Sequence, residues 1–87
     1  MDFMDARTAD AALSRIRHAT EWSTIAVDVD DATVLGMSRS MDGIDVYLYD
    51  VVSDDVLVEG TAQTLGNALR IASFMLQGIT KSEWPNQ

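Results

Sequence analysis

The sequence predicts an α+β protein: an antiparallel meander of three or four strands between two helices, in the order α-β-β-β-(β)-α, with both helices on one sheet face. Two observations carry this prediction. Apolar residues recur with a helical period near both ends of the chain, and between those segments they alternate with polar residues in short runs separated by turn residues. The turns are too short for crossover connections, so neighbouring strands are expected to run antiparallel.

The first helix is predicted over residues 8 to 20. Thr8 is placed to cap its N-terminus, and Asp10 follows in the first turn, where the helix dipole favours an anion. His18 lies near the opposite end, where the dipole favours a cation. The apolar residues have the spacing of a helix with one buried face. They are Ala9, Ala12, Leu13, Ile16 and Ala19.

The first two strands follow this helix. Residues 24 to 30 alternate between apolar and polar side chains, which predicts a strand with one buried face. After a tight turn at Asp30-Asp31, a second strand is predicted from residue 33 to residue 38 or 39. Gly36 within it indicates a bulge or a close backbone approach.

A hairpin is predicted at Met41-Asp42-Gly43, because Asp42-Gly43 supplies the positive φ angles of a primed turn. The third strand covers residues 44 to 50, and a turn at residues 53 to 55 separates it from a short fourth strand, residues 56 to 60 or 62. On the third strand, Ile44, Val46 and Leu48 are expected to face the core, and Asp45, Tyr47 and Tyr49 to face outward.

The second helix has the clearest signals. Thr64 is its expected N-cap, and Gly78 is placed to end it in a Schellman motif that pairs Phe74 with Ile79. Ile71 lies off the main apolar stripe, so Ile71 and Phe74, facing away from the sheet, would form an oligomer interface. The stripe consists of Leu65, Ala68, Leu69, Ala72, Met75, Leu76 and Ile79.

Length and composition indicate one domain, residues 1 to 87, with short flexible ends at about 1 to 5 and 84 to 87. The chain has no cysteine, which excludes disulfides, thiolate metal sites and cysteine nucleophiles. The N-terminus lacks the features of a signal peptide, and no apolar run is long enough to span a membrane. We therefore expect a cytoplasmic protein without a membrane partner.

Negative charge is concentrated in the middle of the chain. The net charge is −8, and residues 21 to 59 hold ten acids against one base, Arg39, which amounts to −9. Such a segment repels phosphate and attracts cationic surfaces. Its acids are Glu21, Asp28, Asp30, Asp31, Asp42, Asp45, Asp50, Asp54, Asp55 and Glu59.

The predicted order of helices and strands resembles that of double-stranded RNA-binding domains. Those domains contact phosphates through a lysine cluster at the start of their last helix, where this chain has Thr64, Leu65, Gly66 and Asn67. Together with the net charge of −8, this difference argues against direct nucleic-acid binding.

Signals for catalysis and metal binding are weak. Ser14 and His18 lie four residues apart on one helix face, but no oxyanion loop accompanies them. Asp28, Asp30 and Asp31 do not match the frame of a calcium loop. A sheet of this size is also expected to leave little room for a substrate cleft of roughly 300 Å³ or more. We expect no enzymatic activity, no metal and no cofactor.

The outward residues of the sheet instead indicate protein binding. Tyr47 and Tyr49 have two equally good explanations. They belong to a protein interface, where tyrosine is enriched, or they support a solvated sheet face through cross-strand contacts. The leading hypothesis is a small non-enzymatic module that docks on a basic protein surface, in its sharpest form a nucleic-acid mimic of phage or mobile-element origin. The alternative is a homo-oligomeric structural or accessory subunit held by the second helix or by edge-strand pairing. The expected partner-binding residues are Asp28, Asp30, Asp45, Tyr47, Tyr49 and Asp50.

Overall fold

The computed structural model, which describes residues 6–19 and 21–84, contains a four-stranded antiparallel sheet in the order β1-β2-β3-β4. This confirms the α+β meander between two helices. The elements in chain order are α1 (Ala6–His18), β1 (Thr24–Asp28), β2 (Thr33–Ser40), β3 (Gly43–Asp50), β4 (Asp55–Ala62) and α2 (Leu65–Gln77), followed by a 3-10 helix (Lys81–Glu83).

Both helices lie on one face of the sheet. Helix α1 contacts β1, helix α2 contacts β3 and β4, and the two helices contact each other. The register places Leu35 opposite Leu48 and Met37 opposite Val46, so apolar side chains of adjacent strands meet beneath the helices. These four side chains are buried, and a fully buried aliphatic side chain stabilises a fold by about 1.5–3 kcal/mol.

Helix α1 begins at Ala6, so the expected N-cap at Thr8 is wrong. The two residues before Thr8, alanine and arginine, are strong helix formers, and they allow the helix to start earlier. Asp10 consequently lies beyond the first turn. The basic residues Arg15, Arg17 and His18 occupy the last turn, where they complement the helix dipole.

Helix α2 has both predicted caps. The Thr64 hydroxyl oxygen accepts a hydrogen bond from the Asn67 N–H at 3.2 Å. Gly78 adopts a left-handed conformation (φ 78°). Its N–H donates to the Met75 carbonyl at 3.1 Å, and the Ile79 N–H donates to the Phe74 carbonyl at 2.9 Å. These bonds form the Schellman motif that the sequence predicts.

The expected oligomer interface on α2 is wrong at Ile71, whose side chain is 0% exposed. Helix α2 contacts α1 as well as the sheet, which widens its buried side beyond the main apolar stripe. Phe74 is half-buried and packs against the core. Neither residue therefore forms an open apolar surface of the kind expected.

The hairpin between β2 and β3 is confirmed, but its loop is Met41-Asp42 rather than Asp42-Gly43. Gly43 is the first residue of β3, pairs with Ser40 and has a φ of 140°. Among the described non-glycine residues, only Asp54 has a positive φ, so Asp42 does not take the primed conformation. A Cβ atom on Gly43 would also collide with the Ala62 carbonyl oxygen, which explains the glycine.

Trp84 does not belong to a flexible end. Its ring packs on Gly60 of β4, where any Cβ atom would collide with it. Its indole Nε1 donates a hydrogen bond to the Ile79 carbonyl at 3.1 Å, and 8% of the side chain is exposed. The other expected loose ends, residues 1–5 and 85–87, lie outside the described residues. Of the helices described, none is both long and apolar enough to cross a membrane.

Candidate protein-binding face

The sheet face opposite the helices, here called the outer face, is built from three rows of residues that the strand register aligns across the sheet. The first row is Thr24, Ser38, Asp45 and Thr61. The second is Ala26, Gly36, Tyr47 and Glu59. The third is Asp28, Val34, Tyr49 and Val56.

The first row is polar and internally hydrogen-bonded. The hydroxyl oxygens of Thr24 and Ser38 lie 3.3 Å apart across β1 and β2. The Thr61 hydroxyl donates to Asp45 Oδ1 at 3.1 Å. Such cross-strand pairs hold the side chains in place, and Asp45 remains exposed.

Tyr47 dominates the second row. The end of its ring lies directly over Gly36 of β2, where any Cβ atom would collide with it. The sequence predicts a bulge or a close backbone approach at Gly36; the structure instead has a side chain over this glycine, and β2 and β3 pair without a bulge. Tyr47 is half-buried because it fills the space above glycine, and its remaining surface is presented to solvent.

The third row is more apolar and ends in an irregular part of β4. Tyr49 pairs with Val34 of β2 and Val56 of β4. Between the pairs of Leu48 and Tyr49, β4 has a β-bulge of one extra residue. Leu57 is left without a partner in β3 because Leu48 pairs with Val58. Val56 and Leu57 are 50% and 53% exposed. The outer face therefore changes from polar to apolar toward the turn between β3 and β4.

Charge is segregated across the sheet. The outer face carries three carboxylates, those of Asp28, Asp45 and Glu59, and no basic residue among the described positions of its three rows. Arg39 alternates with Leu35 and Met37 along β2 and so lies on the helix side of the sheet. Its guanidinium carbon lies 4.2 Å from the centroid of the Trp22 ring. The other bases whose side chains are described, Arg15, Arg17, His18, Arg70 and Lys81, lie on helices.

Asp30 and Asp50 have a different role from the outer-face acids. Asp30 Oδ1 accepts hydrogen bonds from the N–H groups of Ala32 and Thr33, both at 2.8 Å. Asp50 Oδ1 accepts from Val52 and Ser53 at 2.9 and 3.3 Å. Each carboxylate thus caps the turn that follows it. The structure places Asp28, Asp45, Tyr47 and Tyr49 together on the outer face. Asp30 lies in the turn after β1, and Asp50 is the last residue of β3, before the next turn.

A cleft of about 430 Å³ lies beside the turn between β1 and β2, so the expectation of little room for a cleft is wrong. Ala32 and Val51 both line it, and the Val51 N–H donates a hydrogen bond to the Ala32 carbonyl at 2.8 Å, which holds the two turns side by side. Its carboxylates are those of Asp28, Asp30 and Asp31. Within the described residues, no group of three or more His, Cys, Asp or Glu side chains is arranged to hold a metal ion.

Ser14 and His18 form a local pair on α1. The imidazole Nδ1 lies 2.8 Å from the Ser14 carbonyl oxygen and 3.3 Å from the Ser14 hydroxyl. The carbonyl is an acceptor only, so the shorter contact requires a proton on Nδ1. With its proton there, Nδ1 cannot act as the base that would activate Ser14.

Several surface residues of this region were missed by sequence reasoning. Glu59 joins the outer face, and Val51, Val52, Val56 and Leu57 form exposed apolar surface in the hairpin between β3 and β4. A signal was present in the sequence, because two short valine-rich runs flank the acidic turn at residues 53 to 55. Exposure could not be read from it, since an apolar run is equally typical of a buried strand.

Comparisons with known proteins return nothing similar: no protein-family model, no curated protein and no solved structure matches this chain.

Proposed function

We propose that this protein is a small non-enzymatic interaction module whose outer face docks on a basic protein surface. The observation that carries the proposal is the segregation of charge across the sheet. Asp28, Asp45 and Glu59 share one face, and the bases with described side chains lie on the other side or on helices. A face with one sign of charge steers oppositely charged partners and repels those of like charge.

The spacing of the acids favours a broad surface over a point ligand. Asp28 lies on β1 and Glu59 on β4, at opposite edges of the sheet. Adjacent strands are about 4.8 Å apart, so the carboxylates span about 14 Å across the sheet. Asp45 and Glu59 are diagonal cross-strand neighbours, typically about 7–8 Å apart. A single small ion could not contact all three groups, whereas a row of lysine or arginine side chains on a protein could.

The tyrosines supply contact area between the acids. The ring of Tyr47 is held by its packing over Gly36, so little rotamer freedom remains to be lost on binding. Tyrosine also offers a hydroxyl that can donate or accept a hydrogen bond. A partner with basic side chains around an apolar centre would complement this arrangement.

In its sharpest form the proposal is a nucleic-acid mimic. Carboxylates held on a rigid sheet would occupy the phosphate-binding surface of a DNA- or RNA-binding protein and block it. The mimic form makes a prediction of its own: nucleic acid should compete with this protein for the same partner. The alternative of a homo-oligomer held by α2 has lost its proposed anchor, since Ile71 is fully buried.

A binding panel tests the proposal. The full chain is titrated, at low salt, against several basic nucleic-acid-binding proteins, with acidic proteins of similar size as controls. We expect measurable affinity for at least one basic protein, a loss of that affinity as ionic strength rises above physiological, and competition by nucleic acid. If no basic protein binds at low salt, the proposal is wrong. Binding without competition would reject the mimic form alone.

A further inference from the structure

Strand β4 forms one edge of the sheet, because the strand order is β1-β2-β3-β4. It has eight residues, compared with five in β1 at the opposite edge. Its only backbone partners among the described residues are those in β3. An edge strand presents a row of unpaired N–H and C=O groups to which a further strand can bind.

The register identifies which backbone groups of β4 are free. The Arg39 N–H donates to the Ser23 carbonyl, so the odd-numbered residues of β2 direct their backbone groups away from β3. In an antiparallel sheet, successive residues direct their backbone groups to opposite sides. The even-numbered residues of β2 therefore bond to β3, and the odd-numbered residues of β3 bond to β2. The even-numbered residues of β3 bond to β4, where their partners are Val58, Gly60 and Ala62. Glu59 and Thr61 therefore direct their N–H and C=O groups away from the sheet.

Strand β4 has little of the protection usual for an edge. Natural edges carry charged side chains (lysine above all), proline, bulges or short strands that prevent pairing with another chain, and the charges of β4, Asp55 and Glu59, repel only a strand of like charge. Residues 55 to 62 contain neither lysine nor proline. The one bulge lies at Leu57, and the register from Val58 to Ala62 is regular. This regular segment remains suitable for pairing with a further strand.

Exposed apolar side chains lie next to this segment. Val51, Val52, Val56 and Leu57 are 48%, 81%, 50% and 53% exposed, and all four belong to the hairpin that leads into β4. A strand that pairs with β4 would extend past them and could bury apolar side chains of its own against them. Backbone pairing would supply affinity, and these side chains would select the sequence of the added strand.

Charge decides what kind of strand is complementary. Asp54, Asp55 and Glu59 are exposed in or beside β4, and Asp45 lies one strand away. A second copy of this chain would bring a further net charge of −8 to the same place. A strand with lysine or arginine side chains would bring the opposite charge. The complementarity therefore favours a cationic partner over self-pairing.

We infer that β4 is a strand-addition site that takes an extended segment of a partner protein with alternating basic and apolar residues. This inference rests on the proposed function, since it specifies how the basic partner is held. The added strand pairs with the free backbone groups of Glu59 and Thr61. Its basic side chains lie on the outer face beside Glu59, and its apolar side chains lie on the helix side of the sheet, level with Leu57 and Val58.

Amide hydrogen exchange, followed by NMR on the full chain, tests this inference. The probe is a nine-residue synthetic peptide of alternating valine and lysine, and the control is the same peptide with glutamate in place of lysine. We expect the lysine peptide to slow exchange at the Glu59 and Thr61 amides by tenfold or more. The Val58, Gly60 and Ala62 amides should change much less, because β3 already protects them. The glutamate peptide should have no effect.

Two substitutions at one position separate backbone pairing from charge. Glu59→Ala removes the carboxylate and keeps the N–H group, whereas Glu59→Pro removes both. Proline is tolerated on an edge strand where its missing N–H faces outward, and circular dichroism verifies that each variant is folded. We expect Glu59→Ala to weaken peptide binding by less than about fivefold, and Glu59→Pro to weaken it by tenfold or more.

The outcomes distinguish the inference from the proposed function. If basic proteins or the lysine peptide bind while exchange at Glu59 and Thr61 is unchanged, strand addition is wrong and the proposed function stands. If neither binds, both are wrong. If these two amides become protected as protein concentration rises without peptide, the edge pairs with a second copy, and the cationic segment is rejected.

Discussion

The two faces of the sheet are formed by the same alternation of residues, but they differ in what their side chains do. On the helix side, Leu35, Met37 and Val46 are 0% exposed and form the centre of the core. On the outer face, Asp28, Asp45 and Glu59 are exposed to solvent. The difference separates the residues that stabilise the sheet from those that the proposed binding would use. Substitutions on one face should change the free energy of unfolding, and those on the other should change affinity.

The largest expected loss of stability comes from the buried helix residue that sequence reasoning placed on the surface. Ile71→Ala removes a fully buried side chain and should lower the free energy of unfolding by about 2–5 kcal/mol in chemical denaturation. Leu57→Ala, at a position that is 53% exposed, is the matched control and should cost less than about 1 kcal/mol. A small cost for Ile71→Ala together with dissociation of an oligomer would restore α2 as an interface.

A smaller loss of stability is expected at Gly36, over which the Tyr47 ring packs on the outer face. Gly36→Ala forces a Cβ atom into the Tyr47 ring and should cost about 1–3 kcal/mol. Gly66→Ala in α2 is the control, because nothing lies within 4 Å of the added atom, and it should stabilise the protein by up to about 1 kcal/mol.

A double-mutant cycle makes the Gly36 prediction specific. In a Tyr47→Ala background the collision is absent, so Gly36→Ala should cost much less than it does in the wild-type protein. Equal costs in the two backgrounds would show that Tyr47 does not pack over Gly36.

The turn aspartates should behave as structural residues despite their charge. Asp30→Ala and Asp50→Ala each remove an acceptor of two backbone N–H groups and should each lower the free energy of unfolding by about 1 kcal/mol. Asp30→Asn and Asp50→Asn keep the acceptor oxygen and should recover most of the loss. If the asparagine variants are as unstable as the alanine variants, the charge and not the hydrogen bonds supports these turns.

Much of the fold could be predicted because local signals agree with one another. The Thr64 cap, the Gly78 motif and the alternation of residues 44 to 50 each act over a few residues, and each appears in the structure. Ile71 could not be placed from its helical period alone. Its burial depends on α2 contacting α1 as well as the sheet, which is a tertiary contact between segments distant in sequence.

The candidate site was harder to predict than the fold. Periodicity places Asp45, Tyr47 and Tyr49 on one face, but it cannot show that Asp30 and Asp50 are engaged by backbone N–H groups, because this depends on turn geometry. The position of Glu59 on the same face follows only from the register between β3 and β4, which the bulge at Leu57 shifts by one residue.

A comparison of two charge-matched variants tests the central claim most directly. One variant carries Asp28→Asn, Asp45→Asn and Glu59→Gln on the outer face. The other carries Asp10→Asn, Glu21→Gln and Glu83→Gln in α1, the following loop and the 3-10 helix. Each changes the net charge from −8 to −5. Since all six side chains are exposed, neither variant should lose more than about 0.5 kcal/mol of stability.

The affinity of the two variants for a basic protein that binds the wild-type chain is then measured by isothermal titration calorimetry at low salt. The account predicts a loss of roughly 10-fold to 100-fold for the outer-face variant, because each removed contact is worth about 0.5–1 kcal/mol. The control variant, which changes only long-range attraction, should lose less than about threefold. Equal losses in the two variants would show that net charge, and not the outer face, determines binding, and would contradict the account.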